Sequence, residues 1–172
     1  LLASHDTARL ISIAQGDKAS VELATVLLLT FPGAPSIYYG DEVGLPGKLD
    51  PDSRRGFPME THWDVYFLKS HQRLIALRHK YPALRTGSYH ILYAEGTTYV
   101  FARILGNEEI IVAINVGTTP ANVSFEVTAL QSQPSHLLYG DAEISWNQEG
   151  GKSKQLNLNL PPRTGCIFGP VE

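Results

Sequence analysis

The polar residues Ser4, His5 and Asp6 follow directly on two leucines and an alanine at the start of the sequence. An apolar run that stops abruptly at polar side chains is typical of a buried parallel strand that delivers those side chains to a site. A rigid strand end suits a carboxylate that must hold a fixed geometry. A structural alternative stays open, because His5 could bond to backbone and Asp6 could cap the following turn.

A second group of charged residues lies in the segment 43–58, which is rich in glycine, proline and aspartate and has no hydrophobic periodicity. Loops of this length in compact domains are often functional. Asp50 and Arg54 are separated by three residues within it, and Asp52 and Arg55 are interleaved with them. Ion pairs that merely fix the loop are one interpretation. A metal site at Asp50 and Asp52 is another, although calcium requires six or more oxygen ligands.

The elements that must position these residues are predicted from the pattern between them. Leu1 to Ala3 and Ser36 to Tyr39 are short apolar runs that predict the ends of two buried strands. Between them, residues 19–30 predict a helix with almost no polar face, with Asp17 as its N-cap and Pro32 beyond its end. The order strand, helix, strand predicts a parallel pair with a right-handed crossover.

Asp41 and Glu42 follow the second of these runs, and two neighbouring carboxylates are a possible catalytic pair. Adjacent residues on a strand point to opposite faces, so the two carboxyl groups cannot easily flank one bond. We expect a structural role for both. A further helix is predicted from Asp64 to about His79, followed by a stop at Tyr81 and Pro82.

The composition changes near Arg85 to Gly87, and short strand-like runs separated by turn residues follow. The predicted strands are 89–94, 98–105, 109–116, 121–127, 136–139, 155–160 and 164–168. Gly106 and Asn107 predict a hairpin turn. This pattern predicts an antiparallel β-sandwich, and it offers no pairing of a nucleophile with a base.

Bulk properties exclude several classes of protein. The chain has 172 residues and a formal net charge of −3, which gives no basic face for nucleic acid. The longest apolar stretch, Leu23 to Phe31, is too short to cross a membrane. Cys166 is the single cysteine, and it is expected to be a buried, unreactive thiol. The compartment stays open, with the cytoplasm slightly favoured over secretion.

Three ordered motifs now add to the Ser4, His5 and Asp6 triplet. They are the segment Phe31 to Gly44, the segment Asp50 to Arg55 and, later, Ile75 to Arg78. In this order the sequence resembles the C-terminal part of α-amylase-family glycoside hydrolases, most closely the neopullulanase and cyclomaltodextrinase branch. The resemblance covers nearly the whole chain, and the first half carries most of it. It implies the last two strands and helices of a (β/α)₈ TIM barrel in residues 1–86, followed by an antiparallel β-sandwich domain in residues 87–172.

The resemblance also implies roles for four residues. Asp6 matches the family's third catalytic carboxylate, which stabilises the transition state, and His5 matches its substrate-binding histidine. Asp50 and Arg54 match a pattern that contacts the sugar one ring beyond the cleavage point. The nucleophile and the acid/base of the retaining mechanism lie upstream in the family and have no counterpart in this sequence. We therefore expect the C-terminal part of an enzyme that is inactive without its remaining barrel segment.

Several partners and alternatives follow from this interpretation. The resemblance implies an α-glucan substrate such as a maltodextrin or cyclodextrin and no organic cofactor. The charge, the short apolar stretches and the few neighbouring carboxylates predict no nucleic acid, no membrane and no metal as a partner. Apolar faces of an incomplete barrel predict self-association as a homo-oligomer, or flexibility before about Pro58. Two alternatives remain: a stand-alone carbohydrate-binding or structural β-module, and a transglycosylase or isomerase of the same superfamily. The reading frame upstream of Leu1 would distinguish the enzyme from the module.

Overall fold

The computed structural model describes residues 1–149 and 153–170, and the chain divides into two compact units, Leu1–Leu77 and Arg78–Glu172. The helices are α1 (Leu10–Ile13), α2 (Lys18–Thr30), α3 (Val65–Lys80) and α4 (Ala83–Thr86), with short 3₁₀ helices at Asp41–Val43, Asp52–Arg54 and Glu60–His62. The strands are β1 (Ser88–Glu95), β2 (Thr98–Leu105), β3 (Glu108–Asn115), β4 (Ala121–Val127), β5 (His136–Tyr139), β6 (Glu143–Glu149), β7 (Ser153–Leu160) and β8 (Thr164–Gly169). None of the helices in the described ranges is long and apolar enough to cross a membrane.

Helix α2 forms where the sequence predicts it. The Asp17 side chain accepts hydrogen bonds from the backbone N–H of Ser20 at 3.5 Å and from its hydroxyl at 2.7 Å, which satisfies donors at the helix start. Val26 and Leu29 are fully buried, whereas Leu27 and Leu28 are only half-buried. The helix is therefore covered on one side and leaves apolar surface on another.

That surface belongs to an open apolar groove in the N-terminal unit. Its volume is about 330 Å³, and it is lined by Leu1, Leu2, Leu27, Leu28, Phe31, Pro32, Gly33, Ala34 and Pro35. Leu1 and Phe31 are exposed large hydrophobic side chains at this groove.

The two predicted barrel strands are not strands within this chain. Leu1 to Ala3 and Ser36 to Tyr39 have no regular secondary structure, and no described residue before Ser88 belongs to a strand. The predicted parallel pair is therefore wrong as a description of the isolated chain. Runs of three and four residues make few ladder hydrogen bonds, and parallel strands are normally held between partners on both sides.

Helix α3 begins one residue later than predicted and ends one residue later. Asp64 is its cap, because its carboxylate accepts a hydrogen bond from the backbone N–H of Tyr66 at 3.1 Å. Phe67, His71 and Leu74 are buried on one stripe of the helix, as the helical spacing predicts. His71 bonds through Nδ1 to the Phe67 carbonyl at 2.9 Å, and burial lowers the pKa of its imidazole.

The C-terminal unit is a sandwich of two antiparallel sheets. Five strands form one sheet in the order β1-β2-β3-β8-β5, and three form the other in the order β4-β7-β6. The inner faces of both sheets supply the core, with Phe168, Ala113 and Val100 from the first sheet and Leu156 and Leu158 from the second. The predicted antiparallel sandwich is confirmed.

Of the eight strands in the part of the chain that the structure describes, seven match predicted ones within about a residue or two at each end. The hairpin turn between β2 and β3 lies at Gly106 and Asn107, and Gly106 has a φ of 59°. Strand β6 was missed, although Ile144 and Trp146 alternate with polar residues along it. The remaining residues of β6 are polar, so the alternating pattern that predicts a strand depends on these two apolar positions.

Two titratable side chains of this unit, Glu109 and Cys166, are buried. Glu109 on β3 is 2% exposed, and its carboxylate accepts hydrogen bonds from the backbone N–H groups of Gln131 and Ser132, both at 2.7 Å, and from the Ser132 hydroxyl. Cys166 is buried, as predicted, and burial raises the pKa of its thiol to about 12. Such a thiol is a poor nucleophile.

Candidate functional site

Four charged or polar residues gather at one exposed surface of the N-terminal unit. They are His5, Asp6, Asp50 and Arg54, the same four that the sequence marks as site residues, and we call them the His5–Arg54 cluster. Their side chains are between 49% and 72% exposed. A polar ligand in solution can therefore reach them.

His5 and Asp6 lie in a tight turn held by its own hydroxyl groups. The Ser4 N–H donates to the Thr7 hydroxyl at 2.9 Å, and the Asp6 N–H donates to the Ser4 hydroxyl at 3.2 Å. His5 Nε2 lies 3.1 Å from Asp6 Oδ2. The turn therefore presents an imidazole and a carboxylate side by side and open to solvent.

Arg54 joins this turn to the loop that carries Asp50. Its Nε lies 2.9 Å from Asp50 Oδ1, its Nη2 lies 3.9 Å from Asp6 Oδ1, and its Nε also donates to the His5 carbonyl at 3.3 Å. Ser53 adds a hydrogen bond from its hydroxyl to the same carbonyl at 3.2 Å. The Arg54 guanidinium therefore lies between the carboxylates of Asp6 and Asp50, which are 44 residues apart in the chain.

The neighbouring pair Asp52 and Arg55 has the structural role that the sequence left open. Arg55 Nη2 lies 2.7 Å from Asp52 Oδ1, and the Lys48 N–H donates to Asp52 Oδ2 at 2.6 Å. These contacts lower the pKa of Asp52, the Lys48 hydrogen bond most strongly. Within residues 1–149 and 153–170, no group of three or more histidine, cysteine or acidic side chains could hold a metal ion.

Asp41 and Glu42 also have structural contacts, as the sequence predicts. Asp41 Oδ1 lies 3.3 Å from Nη1 of the buried Arg9, and Glu42 accepts a hydrogen bond from the Gly40 N–H at 2.7 Å. Burial raises the pKa of Asp41 from 3.8 to about 6, and the Arg9 charge opposes that rise.

Sequence reasoning missed Arg9. Its side chain is fully buried and connects the segment after Asp6 to the loop that carries Arg54. The available signal was an arginine directly before the apolar run Leu10, Ile11, because a charged side chain in an apolar stretch requires partners when it is buried.

Comparison with family models resolves the chain into two parts. Residues 1–64 match the model described as "Alpha amylase, catalytic domain", and residues 87–168 match "Alpha-amylase C-terminal domain". The chain belongs to the α-amylase family. The His5–Arg54 cluster lies within the part that matches the catalytic domain.

Named relatives agree with this assignment. The cyclomaltodextrinase of Geobacillus thermopakistaniensis is 35% identical over 175 residues, covering 100% of this chain and 29% of the relative. Neopullulanase 2 of Thermoactinomyces vulgaris is 32% identical over 173 residues, covering 98% of this chain and 28% of that protein. The chain therefore spans less than a third of the length of these relatives.

The structural comparison gives the same picture. The crystal structure of a debranching enzyme from Nostoc punctiforme is 63% identical to this α-amylase-family chain, with a TM-score of 0.93. The match covers 98% of this chain and 34% of that enzyme's chain. An Anoxybacillus α-amylase superposes with a TM-score of 0.81 at 28% identity. The fold class, a part of a TIM-barrel enzyme followed by a β-sandwich, is confirmed at the level of the family.

Proposed function

We propose that this chain is the C-terminal part of a glycosidase that hydrolyses α-glucosidic bonds in maltodextrins, cyclodextrins and related α-glucans by a retaining mechanism. One observation carries the proposal: the chain brings His5, Asp6, Asp50 and Arg54 together at an exposed surface. The names of relatives, among them cyclomaltodextrinase and neopullulanase, support the class of substrate. The domain boundary that we propose lies between residues 86 and 87, where the second family model begins.

In this proposal Asp6 accepts hydrogen bonds from hydroxyl groups of the sugar that is cleaved. These bonds strengthen as the ring flattens towards an oxocarbenium-like transition state, so they accelerate the reaction instead of merely binding the substrate. His5 donates to a hydroxyl of the same ring. The side chain of Asp6 is 72% exposed, which leaves its oxygens accessible to such a partner.

Asp50 and Arg54 bind the neighbouring ring. Vicinal hydroxyl groups each donate and accept, so a carboxylate beside a guanidinium matches them. The 2.9 Å pair between these two side chains sets their spacing before a ligand arrives. The contacts of these two side chains with the sugar stabilise the ground state and the transition state equally. Their loss therefore affects KM more than kcat.

The nucleophile and the general acid/base belong to barrel residues that this chain does not contain. A retaining mechanism needs two carboxyl groups about 5 Å apart across the scissile bond, and Asp6 supplies neither. We therefore propose that the remaining barrel segment is an obligatory partner. The chain alone is expected to show no turnover of maltodextrin or cyclodextrin.

The decisive experiment compares variants of the full-length protein that carries this chain. Asp6→Asn preserves shape and removes charge, and we expect kcat to fall on the order of a hundredfold or more, as for other electrostatic stabilisers. Asp50→Ala should mainly raise KM. Glu60→Gln, the same kind of charge removal at an exposed position, is the control and should leave both constants unchanged. Normal turnover by Asp6→Asn would refute the role of that carboxylate.

A second measurement concerns association of the chain as it stands. The apolar groove beside Leu1 and Phe31 is open, and open apolar surface of this kind promotes association. We propose that the chain forms homo-oligomers through this surface. Light scattering should show a mass above that of the monomer, and Leu1→Gln combined with Phe31→Gln should reduce it.

A further inference from the structure

Arg9 is the most deeply buried charged side chain near the proposed site, and the proposed function gives it no role. Its side chain is 0% exposed, and it lies three residues after Asp6. A buried guanidinium destabilises the fold unless partners surround it, because the charge loses its hydration. The identity of those partners indicates what the residue does.

The partners of Arg9 lie on the segments that form the site. Its Nε donates to the Ser53 carbonyl at 2.8 Å, and its Nη1 donates to the Tyr39 carbonyl at 2.5 Å. The Arg9 backbone N–H donates to the Gly47 carbonyl at 2.9 Å. Arg9 therefore holds both ends of the segment 47–53, one through its main chain and one through its side chain.

Two aromatic rings and one carboxylate fix the plane of the guanidinium. The Cζ atom lies 4.0 Å from the ring centroid of Tyr38 and 4.6 Å from that of Tyr39, within the range of a cation–π interaction. Asp41 supplies the opposite charge at 3.3 Å. With the plane fixed, Nε and Nη1 point in two different directions, each at one carbonyl oxygen.

The contact with Ser53 transmits this constraint to the His5–Arg54 cluster. Ser53 directly precedes Arg54, and both residues donate from their side chains to the carbonyl of His5. A shift of the Ser53 carbonyl would therefore move Arg54 away from Asp6 and change the position of Asp50.

We propose that Arg9 is a positioning residue that holds the loop 47–54 against the His5–Asp6 turn and so sets the binding of the sugar ring beyond the cleavage point. The proposal rests on the substrate-binding roles proposed for Asp50 and Arg54. Lysine cannot replace Arg9, because one ammonium group cannot serve the Ser53 and Tyr39 carbonyls in the two directions that the planar guanidinium provides.

The first test needs no activity. Hydrogen exchange, measured by mass spectrometry on this full chain, would compare wild type with Arg9→Lys and Arg9→Met. We expect peptides that cover residues 47–54 to exchange about tenfold faster or more in both variants, while α2 peptides stay unchanged, as for local opening. Arg73→Met, at an exposed arginine of α3, is the control and should leave the loop unchanged. Unchanged exchange of the loop in both Arg9 variants would overturn the proposal, and so would loss of the whole far-UV circular dichroism signal.

The second test uses the full-length enzyme and separates positioning from general stability. Arg9→Lys should raise KM for maltodextrin about tenfold and change kcat less than about threefold, because the loop contacts bind substrate uniformly. In an Arg54→Met background the same Arg9→Lys change should raise KM less than about twofold, since the loop residue through which it acts is gone. Full additivity of the two changes would overturn the proposal.

The two tests distinguish this inference from the proposed function. If Arg54→Met alone leaves KM unchanged, the substrate-binding role of Arg54 is wrong, and with it the part of the proposal that concerns sugar binding. Faster loop exchange in Arg9→Lys would then still support Arg9 as the residue that holds the loop.

Discussion

The carboxylate of Glu109 should be a sensitive polar position of the sandwich. It accepts three hydrogen bonds, from the backbone N–H groups of Gln131 and Ser132 and from the Ser132 hydroxyl, and it is 2% exposed. Glu109→Gln keeps the volume and removes the charge. The change therefore tests the hydrogen bonds without opening a cavity.

The size of the stability loss depends on which carboxylate oxygen of Glu109 is replaced by the NH₂ group of the glutamine. If the carbonyl oxygen of the glutamine takes the place of Oε2, it keeps both Ser132 donors, but its NH₂ group then faces the Gln131 N–H. The Gln131 N–H, a partly buried donor, then loses its acceptor at about 1–3 kcal/mol, and the kept bonds lose their charge assistance. We expect the free energy of unfolding to fall by about 2–4 kcal/mol in total, since bonds to charged groups are worth about 1.5–3 kcal/mol each.

Urea unfolding measures this loss, and amide exchange locates it. The Gln131 and Ser132 amides should lose protection against exchange. Amides in the β2–β3 hairpin should lose no more protection than the fall in the global free energy of unfolding accounts for. Glu60→Gln, the same change at an exposed position, is the control and should change stability by less than about 0.5 kcal/mol. If Glu109→Gln is as stable as that control, the buried carboxylate does not hold this turn and the reasoning is refuted.

Three further predictions concern packing, backbone conformation and pH. Leu156→Ala removes a fully buried side chain from the sandwich core and should cost about 3–5 kcal/mol in urea unfolding. Gly140→Ala should cost more than about 2 kcal/mol by the same measurement, because Gly140 has a φ of 84° and an added Cβ would meet the Gly165 carbonyl. For Asp41, whose folded pKa is about 6 against 3.8 ordinarily, the contribution to stability is fully present below pH 3.8 and is lost as the pH rises through about 6. Unfolding measured at about pH 5 and about pH 7 should therefore show a smaller fall for Asp41→Asn than for wild type; an equal fall would contradict the assignment of the titration to this group.

The elements that the sequence predicted well are those with a local physical cause. Asp17 and Pro32 bracket α2, and Gly106 with Asn107 places the β2–β3 turn, because capping and turn chemistry depend on neighbours in sequence. Strand β6 was not found, because Ile144 and Trp146 are the two apolar side chains along it. Strand pairing is tertiary information that the alternation of two side chains does not carry.

The same difference between local and tertiary information applies to the candidate site. The resemblance to the family pointed to Asp6, His5, Asp50 and Arg54, but neither their charge nor their spacing showed that they meet. Arg54 could pair with Asp50 or with Asp52 by spacing alone, and the structure selects Asp50. Arg9 was missed because its partners are mostly backbone carbonyls at residues 39, 47 and 53, which no side-chain pattern reveals.

The strand order of the larger sheet constrains how the sandwich can be assembled during synthesis. Strand β8, the last described strand, lies between β3 and β5 and pairs with both. Without it, one edge of β3 is unpaired and β5 has no partner in the sheet. A ribosome that has released β1 to β7 has produced a three-stranded meander and a separate β5, with two unpaired edges facing the same gap. Those edges invite intermolecular pairing until the last strand arrives. The nascent sandwich should therefore depend on chaperone protection until residues 164–169 have left the exit tunnel, and a stop codon just before Thr164 should yield an aggregating product instead of a shortened domain.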